Sequence, residues 1–132
     1  MRVVSVDADA TQTVLAVTDS AGNHVNQPPP RGVQDFLVGL SVTYTGAGSG
    51  DISSLVNSLQ TLGSHNVAYD VRDNPCGLLP PLDLAGAGPV EVRSGDTVTG
   101  NVCFQIASND ARSLLLHAGD LLLKTDFWFA LR

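Results

Sequence analysis

A chain of 132 residues, 43% hydrophobic and only 15% charged, has the size and apolar content for one domain around one core, taken here as residues 1–132. Thirteen acids, twelve of them Asp, stand against seven bases, and Lys124 is the lone lysine. A net charge of −6 excludes the clustered Lys and Arg that nucleic acid or an anionic membrane surface requires, and no apolar run approaches the roughly 18 residues of a membrane span.

In chain order, Val3–Ala8 and Gln12–Val17 read as two strands. Met1-Arg2-Val3-Val4-Ser5-Val6-Asp7 lacks the apolar stretch of an export signal, so an exported protein is expected to have shed its leader ahead of this sequence. The segment Gly22–Gly32, with Pro28-Pro29-Pro30, reads as a loop with a stiff extended tip. Rigid-loop geometry explains Pro28–Arg31 more simply than a polyproline ligand does.

The clearest element is Gln34–Thr45. Phe36, Val38, Leu40, Val42 and Tyr44 share one face, and Leu37, Gly39, Ser41 and Thr43 share the other, as a half-buried strand requires. Gly46–Asp51 reads as the loop that ends it. Ile52, Leu55, Val56, Leu59 and Leu62 fit helical spacing, but the intervening Ser and Asn are poor helix formers. The expectation is a short turn, a strand over Val56–Leu62, and a hairpin through Gly63-Ser64-His65-Asn66 into Val67–Val71.

Asp73–Pro89 holds four of the seven prolines and reads as a long surface connection. Val90–Arg93 then turns at Ser94-Gly95-Asp96 into a strand, Thr97–Ile106, whose inner face is Val98, Val102, Phe104 and Ile106. Gly100 in mid-strand signals a bulge or a close backbone approach. Ser108-Asn109-Asp110 is placed to cap one helical turn before Leu114-Leu115-Leu116. The last strand, Leu121–Leu131, sets Leu123, Phe127, Phe129 and Leu131 against Lys124, Asp126 and Trp128. About seven or eight short strands separated by turn residues predict an all-β, immunoglobulin-like antiparallel sandwich.

Cys76 and Cys103 are the only cysteines, without CxxC spacing or a His cluster that would suggest zinc. They read as a disulfide, with two buried free thiols as the alternative. A disulfide implies an oxidising compartment. Because Cys103 alternates away from Val102 and Phe104, such a bond would tie the Cys76 loop to an outer face of the sandwich.

The segment Val92-Arg93-Ser94-Gly95-Asp96-Thr97-Val98-Thr99-Gly100-Asn101-Val102-Cys103-Phe104-Gln105-Ile106 resembles the turn-Gly and G-x-V-x-F strand of a bacterial immunoglobulin-like family. That family occurs in secreted proteins and lipoproteins of Gram-positive bacteria and includes small secreted mycobacterial-type antigens. The long strand Phe36–Thr45, the hairpin ending in Val67-Ala68-Tyr69-Asp70 and the loop carrying Cys76 are similar too, so the likeness runs from Val33 to Arg132. It implies an antiparallel sandwich and an extracytoplasmic location. It implies no established biochemical activity.

Catalytic groupings find little support. Ser49 in Gly46-Ala47-Gly48-Ser49-Gly50 is not centred as a nucleophile elbow requires. His24, His65 and His117 lie far apart and form no metal-ligand spacing. Asp7 with Asp9 are weak calcium candidates, as are Asp70 with Asp73 and Asp120 with Asp126, although Asp serves turns for its own hydrogen-bonding reasons. Trp128, beside Lys124 and Asp126, is the best candidate contact residue. It either anchors an unknown protein or ligand, packs over the Cys76 loop, or belongs to the core in a shifted register. No cofactor is implied. The expected function is a non-catalytic binding module of a secreted or cell-envelope protein, with a purely structural spacer as the alternative and a calcium module or enzyme as remoter ones.

Overall fold

The computed structural model describes residues 1–73, 75–79, 82–120 and 125–131. Their order is β1 (Arg2–Asp7), α1 (Thr11–Leu15), β2 (Val33–Thr43), β3 (Ser49–Asp51), α2 (Ser53–Asn57), β4 (Leu59–Leu62), β5 (Ala68–Asp70), β6 (Glu91–Arg93), β7 (Thr97–Ala107), β8 (Leu115–Asp120) and β9 (Thr125–Ala130). The strands form sheets in the orders β1-β2-β7, β3-β6 and β5-β4-β8-β9. Every strand pair is antiparallel, and the fold is an all-β sandwich.

Strands β2 and β7 form the spine. They pair without slip from Val33↔Ala107 to Thr43↔Thr97, so Phe36 opposes Phe104 and Val38 opposes Val102, all fully buried. Period-two geometry sends this row toward the second sheet. There it meets Leu59 of β4, Tyr69 of β5, and Leu116 and Ala118 of β8.

Gly100 is a close approach rather than a bulge. It pairs in register with Leu40, and a Cβ on it would lie 2.8 Å from both the Leu82 carbonyl oxygen and Leu84 Cγ. The Asn101 amide donates to the Leu82 carbonyl at 2.7 Å, and the Leu84 amide donates to the Asn101 carbonyl at 2.9 Å. The long connection therefore runs along the edge of β7 left open by β2, and it seats Leu84 in the core.

Four local expectations change. Gln12–Val17 is not a strand: Thr11–Leu15 is helical, because burying Ala10 and Val14 one turn apart covers the cysteines. Val56 belongs to α2, where Ile52 and Val56 are buried four residues apart, and the following strand begins only at Leu59. Ser49–Asp51, expected to be loop, pairs with Glu91–Arg93. After turns at Ala107–Ser113 in place of a helical turn, Leu115–Asp120 supplies a strand between β4 and β9. Leu121–Lys124 of the expected last strand lie outside the described residues.

Candidate functional site

The cysteines form a disulfide. As alternation requires, Cys103 faces away from the core, and the bond fastens the Cys76 loop to the outer face of β2 and β7. Ala10, Val14, Leu37 and Leu79 pack around it. Asn26, nearly buried, locks this cover. Its Nδ2 donates to the carbonyls of Val14 and Leu78, and its Oδ1 accepts from the Leu78 amide, all at 2.8 Å. Gly77 has φ of +104° and a Cβ there would strike Asn26 Oδ1, so only glycine fits beside that lock.

Asp35 lies under the same cover. Alternation on β2 gives it a solvent-facing position, yet α1 and the Cys76 loop bury it completely. Gln105 Nε2 donates to its Oδ1 at 3.2 Å, and Oδ2 is buried without a hydrogen-bond partner among the described residues. Burial pushes its pKa up.

A second polar cluster surrounds Asp110. Its Oδ1 meets His65 Nδ1 at 2.6 Å and accepts from Ser64 Oγ at 3.2 Å, while its Oδ2 accepts from Tyr69 OH at 2.9 Å. The hydrogen bond to His65 is the main reason that the Asp110 carboxyl titrates below the usual carboxylate range. Ser64 Oγ and Asp110 share the same ring nitrogen, Nδ1. A nucleophile relay needs serine and acid on opposite nitrogens, so this cluster acts as a clamp. It pins the β4–β5 turn to the turn before β8.

The third arrangement contains the expected contact residue. Trp128 is 52% exposed and stacks on His117, with ring centroids 4.4 Å apart. His117 Nε2 in turn lies 2.9 Å from Asp126 Oδ1. The registers Leu62↔Ala68, Leu62↔Leu115 and Leu115↔Ala130 lay an apolar row across the outer face of the four-stranded sheet. Beside it runs the row Asp70, Gln60, His117 and Trp128.

Trp128 thus sits on the opposite sheet from the Cys76 loop and does not cover it. Phe127, expected in the core, is 55% exposed. It points inward from an edge strand, where Ala118 on β8 is its only cross-strand neighbour among the described residues, whereas Phe129 packs partly against the core. Lys124 lies outside the described residues.

The other polar candidates have local tasks. Asp7 Oδ1 accepts from the Asp9 backbone amide at 3.2 Å, a turn interaction, and His24 Nδ1 meets the Leu15 carbonyl at 2.7 Å. Sequence reasoning missed Asp35, Asp110 and the pairing of His117 with Trp128. Alternation marks only the first as outward-facing, and nothing local signals the other two. No helix among the described residues is long and apolar enough to cross a membrane. No family model, curated protein or solved structure matches the chain.

Proposed function

We propose that the chain is a non-catalytic, immunoglobulin-like binding module of a secreted or envelope-attached protein, which holds a protein partner against the outer face of the four-stranded sheet around Trp128. The observation carrying this reading is the half-exposed Trp128, propped by His117 and flanked by exposed Leu115 and Ala130. An exposed aromatic on the edge strand beside an apolar row, with Asp70, Gln60 and Asp126 nearby, has the composition of a recognition surface. A sheet face is a surface rather than a cleft, which suits a protein more than a small ligand.

The disulfide supports the compartment, because such bonds persist where thiols are not kept reduced. The resemblance of Gly95–Ile106 to secreted immunoglobulin-like domains points the same way. Acidic charge keeps nucleic acid out of the reading.

The test immobilises the domain against envelope extract in three forms: wild type, Trp128→Ala, and Val4→Ala on the other sheet. A stoichiometric partner recovered by wild type and Val4→Ala but lost with Trp128→Ala is expected. Equal recovery of every species by all three would favour a spacer domain instead.

A further inference from the structure

The binding reading makes no use of Asp35, yet this acid occupies an unusual place. A carboxylate oxygen of Asp35 and the two sulfurs of Cys76 and Cys103 all lie within 4.8 Å of one another. The other structural facts point to a neutral acid there: complete burial, one hydrogen bond from Gln105, and an Oδ2 with no partner among the described residues. A carboxylate left so poorly paired in an apolar site is costly, and the protonated form removes that cost. The titratable group facing it is the acid Asp9, ahead of α1; the bonded sulfurs beside it do not titrate, Gln105 on β7 donates to its carboxyl, and Thr11 on α1 accepts only from its backbone amide.

The same disulfide borders open space. A cavity of about 340 Å³ is lined by both cysteines together with Arg72, Pro75, Leu78 and Asp83, and Asp35 does not line it. Both cysteines thus border a cavity that the acid does not line. Both cysteines are nearly buried, and among the described residues this cavity offers an approach to them.

We propose that Cys76–Cys103 is a thiol–disulfide exchange site for a small dithiol entering by this cavity, with Asp35 as the proton donor to the departing sulfur. The dithiol attacks as a thiolate at Cys76 Sγ, forming a mixed disulfide as the Cys76–Cys103 bond breaks. Cys103 Sγ leaves with the bonding electron pair and takes the proton of Asp35, which becomes a carboxylate and is reprotonated from water. The second thiolate of the dithiol then attacks its own sulfur of the mixed disulfide, closing an internal disulfide. Cys76 is released as a thiolate that takes a proton from water in the cavity. Two electrons pass from the dithiol to the protein, and the protein ends with two thiols.

Cys103 is the sulfur expected to depart toward Asp35, because it sits on β7 opposite Leu37, two residues from Asp35 on β2. Reduction would free the Cys76 loop of its covalent tie while the Asn26 lock still holds Leu78. The site therefore reports the thiol state of its surroundings without dismantling the sandwich.

The test follows reduction of the native protein by dithiothreitol across pH, with each rate divided by the thiolate fraction of the reductant. The corrected wild-type rate should fall as pH rises through the elevated value of Asp35, because the acid then has no proton to give. In Asp35→Asn the corrected rate should be flat and lower at acid pH, on the order of 100-fold. A flat corrected profile in wild type overturns the proposal, and this holds even if the Asn variant fails to fold. Wild-type rates retained in Asp35→Asn overturn it too. So does reduction no faster than global unfolding measured in denaturant, because the bond would then exchange only after the fold opens.

Discussion

The outer face of β1-β2-β7 lies under α1 and the disulfide-tied Cys76 loop, while the outer face of β5-β4-β8-β9 stands open at Leu115, Trp128 and Ala130. Both faces obey the same alternation, and both place apolar side chains outward: Leu37 and Cys103 on one, Leu62, Leu115 and Trp128 on the other. The covered face converts its outward residues into a second small core and so contributes to stability. The open face leaves its residues half in water, where a side chain contributes little to folding and can contribute to association. An apolar outward position therefore takes its role from what the rest of the chain lays over it.

Removing the cover should cost the most. Replacing both cysteines by serine is expected to lower unfolding free energy by about 3–4 kcal/mol, the loop-entropy contribution of a crosslink closing a loop of this size. Urea titration measures it. A loss well under 1 kcal/mol would mean that the covered face holds without its staple.

Asn26→Ala attacks the same cover without touching the disulfide. It removes the Asn26 hydrogen bonds to the Val14 and Leu78 carbonyls and from the Leu78 amide, although the Val14 carbonyl still accepts from the Val17 amide, at an expected cost of about 1–3 kcal/mol. Amide exchange should quicken at Leu78 before it does in β2 or β7. Uniform quickening would show that the loop and the sandwich open as one unit.

The open sheet is held at its turns rather than over its face, and acid should reveal this. Asp110 titrates lower in the folded chain than the ordinary Asp value of 3.8, so its contribution is present above that value and is lost as pH falls through the lowered one. Melting temperatures of wild type and Asp110→Asn should differ at neutral pH and converge in acid. A constant gap at every pH would remove the carboxylate from the clamp.

Substitutions on the open face should do least. Trp128→Ala and Leu115→Gln are each expected to change stability by no more than about 0.5 kcal/mol, as is usual for exposed positions. Acrylamide should quench Trp128 readily in the isolated domain and much less in a complex. A shielded Trp128 in the monomer would close the contrast between the two faces.

The long strands were legible because a half-buried strand writes its geometry into every second residue. Val33–Thr43 and Thr97–Ala107 announce their inner faces in sequence, and Cys103, falling between Val102 and Phe104, announces which way its disulfide points. Short elements were not legible. Thr11–Leu15 has only one turn, too little for a helical period, and its helicity follows from Ala10 and Val14 packing on the cysteines. Leu115–Asp120 begins in a run of leucines whose alternation appears only once β4 and β9 flank it.

Composition, charge and alternation by themselves determined an acidic β-sandwich with an inward Phe36–Phe104 row and an outward cysteine. Those properties are local, since they depend on which side of a strand a residue occupies. Tertiary structure alone decided that Asp35, an outward acid, would be buried beside the disulfide, and that Trp128, an outward aromatic, would stay half exposed on His117. Burial is a property of what lies above a residue, and the segments over Asp35, α1 and the Cys76 loop, are distant from it in the chain.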